Sequence, residues 1–302
     1  MILVFEFTWT GTYHAPGNSA TIQTFAQAFP DQGIRVFADP SHLSELQHDE
    51  ALTSRKHISV RPIVLSPHFR HRPHLVSMRR LMREFVTILS ALRDVPKREP
   101  CLIMLISATS TAMFAASLVL RMSRRPLGVQ VGLHGNLNDL QGWRPRNPLT
   151  RALDTHSAIL GAHPRRFRFL VLEDSIRDEL ARLAPKAAAR TDVLTLPVNL
   201  GEIAQVPDMQ LAAPVQIGFV GQATGPKGIT GFLETARLFK ARHGDRVAFH
   251  LVGRAMEGAD LAPFAVLDSP VSSDHLPREE FARRLASLHF VFSPYQSGYY
   301  NL

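Results

Sequence analysis

Apolar residues arrive in short runs that alternate with longer amphipathic stretches along the chain. Runs at residues 2–7, 35–38, 58–65, 102–107, 128–133, 169–172 and 192–196 predict strands. Between them, apolar positions at the helical period predict helices near residues 20–29, 75–92, 112–122, 149–160 and 176–183. Strands alternating with helices of roughly 10 to 15 residues argue for right-handed βαβ units on a parallel sheet.

The period lapses over residues 199–214, which reads as an interdomain linker. A second alternation follows: a strand at 215–220, a helix to 242, strands at 247–252 and 265–267, a helix at 278–288 and a strand at 290–293. A chain of 302 residues, 45% of them hydrophobic, can fill two cores. The expected division is 1–205 and 206–302. The chain stops at 295–302, where a doubly wound sheet still needs a covering helix, so a truncated second domain is expected.

One cysteine, Cys101, excludes an internal disulfide and a cysteine-built zinc site, and reads as intracellular usage. The amino terminus opens on a strand without the basic region of a signal peptide. The apolar window 102–120 is interrupted by Ser107, Thr109, Ser110, Thr111 and Ser117, so it reads as strand, turn and packed helix rather than a membrane span. A cytoplasmic protein, in place at the inner face of the membrane, is the expectation.

A formal charge of +8 invites a polyanionic partner. Basic residues gather at 68–74, including Arg72, and continue through Arg79, Arg80 and Arg83 on a helix that also carries Leu75, Met78, Leu81, Met82 and Phe85. A cationic margin on an amphipathic helix suits an anionic membrane surface or an acceptor held there. An ordinary solvated helix has the same letters. Nucleic acid is not expected, since the cations are not interleaved with exposed stacking aromatics.

The most specific stretch is Ile217-Gly218-Phe219-Val220-Gly221-Gln222-Ala223-Thr224-Gly225-Pro226-Lys227-Gly228, followed by an amphipathic run from Ile229. A strand entering a glycine-rich turn that carries a lysine and starts a helix presents amides and one cation to a phosphate. The same glycines also serve any tight strand-to-helix turn.

Two doubly wound domains, the second opening on this turn, resemble the GT-B glycosyltransferases, more closely family 4 of bacterial exopolysaccharide and lipopolysaccharide assembly. The resemblance implies two Rossmann-like parallel-sheet domains facing a cleft, the second incomplete here. It also implies transfer of a hexosyl unit from a nucleoside diphosphate sugar to a lipid-linked or oligosaccharide acceptor, with retention, without a metal and without a further cofactor. The family's donor lysine maps onto Lys227, and Gly221 and Gly228 flank it. Its usual arginine is replaced by Gln222, so either another basic residue such as Arg254 substitutes or the donor sits differently. His134, after the fifth strand, matches the family's active-site histidine. Gly17, in the loop after the first strand, matches its glycine-rich loop, where Asn18 or Ser19 would cap the next helix. Glu173 ends the sixth strand, where it is expected to face the cleft or to precede a helix capped by Asp174 or Ser175. The family's glutamate pair is absent from the segment that holds Gly298.

Two rival readings stand beside it. A Rossmann dehydrogenase asks for Gly-x-Gly-x-x-Gly after a first strand, and neither half has it. A non-catalytic GT-B subunit or basic membrane-docking module would accommodate Gln222, the missing glutamates and the cationic helix.

Overall fold

The computed structural model describes the chain apart from residues 12–13, 56, 66–72, 134–139, 141–143, 196, 198–210, 257, 275 and 296–302. It divides into two compact units, Met1–Asn199 and Leu200–Asn301. The expected boundary at 205/206 lies outside the described residues.

The first unit is built on seven parallel strands: β1 (Ile2–Glu6), β2 (Ile34–Ala38), β3 (Ile58–Pro62), β4 (Cys101–Ser107), β5 (Leu127–Gly132), β6 (Phe167–Val171) and β7 (Thr191–Val193). Their order is β3-β2-β1-β4-β5-β6-β7, so the sheet reverses its winding between β1 and β4. Alternate residues feed opposite cores. Leu3, Phe5, Ile103, Leu105, Val129 and Phe169 join one, while Ile2, Val4, Val36, Met104 and Ile106 join the other. Burial on both faces explains why these strands read as continuous apolar runs rather than alternating ones.

Helices α1 (Ala15–Ala28), α2 (Pro40–Gln47) and α3 (Glu50–Thr53) come from the first half of the unit. Ile22, Phe25, Leu43, Leu46 and Leu52 close the second core. Helices α4 (Pro73–Arg93) and α5 (Ser110–Met122) close the first, the latter through Ala112, Ala115, Ala116 and Val119, whose small side chains permit close approach. Three elements depart from expectation. The α2 helix is started by Asp39, whose carboxylate accepts from Ser41 N at 3.0 Å. The single helix expected at 149–160 is two, α6 (Pro148–Ala152) and α7 (Thr155–Leu160), because Asp154 caps the second by accepting from Ser157 N at 2.7 Å. The helix of the sixth strand, α8 (Asp174–Leu183), is followed by a short α9 (Pro185–Ala188).

In the second unit β8 (Val215–Ala223) is flanked by β9 (Val247–Ala255) and β10 (Phe290–Val291), all parallel. Helix α10 (Ile229–His243) packs Phe232, Leu233 and Ala236 against Phe219, Phe249 and Leu251. Leu288, after α11 (Arg278–Ala286), crowds Gly218, where a Cβ would stand 2.2 Å from its Cδ1. The segment expected as a strand at 265–267 is instead the 3-10 turn Ala262–Val266. Among the described residues no helix is long and apolar enough to cross a membrane.

Candidate functional site

The glycine-rich turn forms at the carboxyl end of β8, and its geometry depends on three glycines. Gly221 and Gly253 are register partners with φ of +101° and +155°, and a Cβ on Gly253 would lie 2.0 Å from Gly221 O. Gly228, the N-cap of α10, has φ +84°, and a Cβ there would meet Pro294 O at 1.7 Å. Positive φ and backbone contact both exclude a side chain, so only glycine fits at these positions.

This turn carries polar groups for which the described residues supply no ion-pair or backbone partner. Lys227 Nζ lies 3.5 Å from where a Cβ on Gly221 would stand, and it forms no ion pair with a described residue. Gly228 N donates to Gly225 O and Ile229 N to Thr224 O, whereas the amides of Thr230 and Gly231 have no backbone acceptor among the described residues. The buried Thr224 Oγ1 also lacks a partner. A cation and two helix-head amides on one turn suit an anion with several oxygens. Gln222 and Arg254 are register partners on β8 and β9, which puts the expected substitute cation directly beside the glutamine.

Three of the sequence-predicted residues, His134, Arg72 and Gly298, lie outside the described residues. Gly17 is not in a loop. The helix α1 starts at Ala15, five residues earlier than the pattern suggested, because Pro16 sits in its first turn with a φ already set for a helix. A Cβ on Gly17 would touch nothing within 4 Å, so no close approach requires that glycine. Asn18 and Ser19 are therefore not caps but buried helical residues. Arg79 and Arg83 are exposed on α4, whereas Arg80 turns inward. It donates to Glu84 Oε1 at 3.0 Å and to Phe7 O at 3.0 Å, so it belongs to the fold rather than to a cationic margin. Glu173 is the exposed residue before α8 and makes no side-chain cap; Ser175 Oγ donates to it at 3.1 Å.

A second polar cluster, which the sequence did not announce, sits where β1 and β4 diverge, the place where open α/β sheets offer a ligand crevice. Glu6 ends β1 with 1% exposure. Its Oε1 accepts from Thr8 N at 2.7 Å and Trp9 N at 3.0 Å, and its Oε2 from Asn18 Nδ2 at 3.0 Å. Asn18 Nδ2 also lies 3.0 Å from His42 Nε2, while His42 Nδ1 lies 2.8 Å from Gly11 O. That pattern places the ring proton on Nδ1 and the lone pair toward Asn18. Burial pushes Glu6 up to about 7 against the opposing pull of the two amides, and burial holds His42 below its ordinary value. The cluster ties down both ends of the segment between β1 and α1, where Gly11 and His14 have φ of +57° and +56° and the His14 ring lies 4.6 Å from Trp9. A histidine in the left-handed region is uncommon. Among the described residues no group of three His, Cys, Asp or Glu is placed to hold a metal.

No protein-family model matches the chain, and no curated protein matches it. Solved structures do. A glycosyltransferase from Rickettsia africae ESF-5 is similar with a TM-score of 0.51 at 11% identity, over 96% of this chain and 67% of that one. Glycyrrhiza uralensis UGT73P12, complexed with glycyrrhetinic acid 3-O-monoglucuronide, gives 0.51 at 12% identity, over 97% and 69%. Arabidopsis thaliana UGT89C1, complexed with UDP, gives 0.50 at 12% identity, over 82% and 65%. The fold is thus that of the GT-B glycosyltransferases, with a seven-stranded and a second parallel sheet.

Proposed function

We propose that the chain is a glycosyltransferase that takes a hexosyl unit from a nucleoside diphosphate sugar and places it on a hydroxyl of a lipid-linked or oligosaccharide acceptor. The turn from Gly221 to Gly231 carries this reading, because it bears the Lys227 ammonium beside Gly221 and the amides of Thr230 and Gly231, which have no backbone acceptor among the described residues. The fold shared with glycosyltransferases, one of them holding UDP, supports it.

In the reaction, negative charge grows on the diphosphate as its bond to the sugar breaks. Lys227 and the head of α10 meet that charge with groups already oriented, so little reorganisation accompanies the step. Arg254, beside Gln222, is the candidate for the second cation that the resemblance expects in the position of the glutamine. Retention of configuration and independence from a metal belong to the same reading, as does an acceptor presented at an anionic membrane surface by Arg79 and Arg83.

The test is turnover. The full chain, supplied with a panel of nucleoside diphosphate hexoses and a membrane-lipid acceptor fraction, is expected to release nucleoside diphosphate and form an acceptor glycoside whose anomeric proton coupling matches the donor. Chelator should leave the rate unchanged. Release of diphosphate only as slow hydrolysis, with no glycoside from any donor, would overturn the proposal.

A further inference from the structure

A second site lies in the first unit, at the amino ends of β6 and β7 and so at the opposite end of the sheet from the β1–β4 crevice. Here α7 ends at Leu160, and residues 161–166 loop into β6, while α8 and α9 come down beside it. The three segments enclose a cavity of about 540 Å³. Its wall is mostly apolar, with Ile159, Leu160, Phe169 and Leu183 among the side chains that line it. That volume falls within the range of small-molecule pockets, and the cavity opens to solvent at exposed Leu160 and Lys186.

The cavity has a firm floor. His163 is 8% exposed and stacks on Phe167 with ring centroids 4.1 Å apart. Its Nε2 lies 2.6 Å from Ala158 O and its Nδ1 3.0 Å from Ser117 Oγ, so Nε2–H donates to the carbonyl and Nδ1 accepts from the hydroxyl. Both nitrogens are engaged, and burial lowers the ring's affinity for a proton. The wall is therefore preformed, and ligand entry orders little.

Its charge is one-sided. Lys186 and Arg190 line the cavity, and no carboxylate does. Arg190 is anchored by donating to His163 O at 2.7 Å through one guanidinium nitrogen, while Lys186 is exposed and forms no ion pair with a described residue. Leu160 stands 45% exposed at the rim. An apolar chamber with two cations and no anion fits a ligand with one apolar chain and one anionic head.

We infer that this cavity binds a single-chain anionic amphiphile, its hydrocarbon between Leu160, Phe169 and Leu183 and its carboxylate or phosphate at Lys186 and Arg190. The site is independent of glycosyl transfer and stands or falls apart from it. Calorimetric titration of the full chain with sodium dodecanoate, below its micelle concentration, is expected to give a saturable one-to-one isotherm. Dodecyltrimethylammonium, with the same chain and the opposite head, should bind at least tenfold more weakly. Lys186→Glu and Leu160→Glu, both at exposed positions, should each weaken dodecanoate at least tenfold while leaving the melting transition in place, and Lys97→Glu, exposed elsewhere on the unit, should leave dodecanoate affinity unchanged. Equal affinity for the two heads, indifference to both variants, or no saturable binding would overturn the assignment. So would sedimentation with phosphatidylglycerol vesicles in the absence of any dodecanoate isotherm, which would give the cations to a bilayer surface instead.

Discussion

Asn18 donates to Glu6 Oε2 at 3.0 Å from within the first turns of α1, tying the end of the first strand to the helix that follows it. Both residues are buried, at 3% and 1% exposure, and the loop they brace carries the left-handed Gly11 and His14. A carboxyl group in this position is a source of pH dependence. Its folded value of about 7 exceeds the ordinary 4.5, so the native state holds the proton more tightly than the unfolded chain does. Stability is then greatest below about pH 4.5, as far as this group is concerned, and falls as pH rises toward 7. The contribution amounts to about 3 kcal/mol across that window. Glu6→Gln should flatten the slope of unfolding free energy between pH 5 and 7.5, measured by urea denaturation. A slope equal to that of the unaltered protein would show that Glu6 does not titrate there.

Arg80 and Arg79 are sequence neighbours with different tasks. Arg80 pairs with Glu84, itself 3% exposed and pushed upward by burial, whereas Arg79 faces solvent. Removing one member of a buried pair leaves the other uncompensated, at a cost of about 3 kcal/mol or more. Arg80→Met should therefore destabilise by that order, with lower pH relieving part of the loss as the orphaned Glu84, already pushed upward by burial, takes up a proton. Arg79→Met should stay within about 0.5 kcal/mol. Equal effects in denaturant titrations would contradict the inward placement of Arg80.

The glycines of the turn differ in the same way. A methyl group on Gly228 would meet Pro294 O and C at 1.7 and 2.4 Å in a left-handed conformation, while one on Gly225 would meet nothing within 4 Å. Gly228→Ala is expected to destabilise the second unit by about 2 to 4 kcal/mol, Gly225→Ala by less than about 0.5. Limited proteolysis across residues 215–255, read with the thermal transition, reports both. Equal sensitivity of the two variants would be inconsistent with the contact at Pro294.

The central strands β1, β4, β5 and β6 were legible because both of their faces are covered, which leaves apolar runs too continuous to miss, whereas the edge strand β3 exposes Ser59, Arg61 and Pro62 and owes its legibility to Ile58 and Val60 alone. The turn at Gly221, Lys227 and Gly228 was legible because backbone geometry there demands glycine, and a lysine between two such positions has few other reasons to be placed. The start of α1 was obscured since Asn18, Ser19 and Gln23 look like loop residues in a string of letters. Their partners explain them: Gln23 Nε2 donates to Asp49 Oδ2 at 2.8 Å, Ser19 Oγ to the same carboxylate, and Asn18 to Glu6. A cluster assembled from positions 6, 18 and 42 has no spacing to read, and neither does a cavity walled by three separate segments. Helix α2 escaped notice because its two core leucines, Leu43 and Leu46, are too few to establish a period.

Whether Lys227 grips a diphosphate is read by calorimetric titration of a series of nucleoside diphosphates, UDP among them, into the full chain and into its Lys227→Ala variant. One of the series is expected to bind saturably, and the variant to weaken it by about 10- to 100-fold, the loss of one charge-assisted contact to phosphate. Binding of none of them by the unaltered chain, or an unchanged dissociation constant in the variant, would show that Lys227 holds no diphosphate.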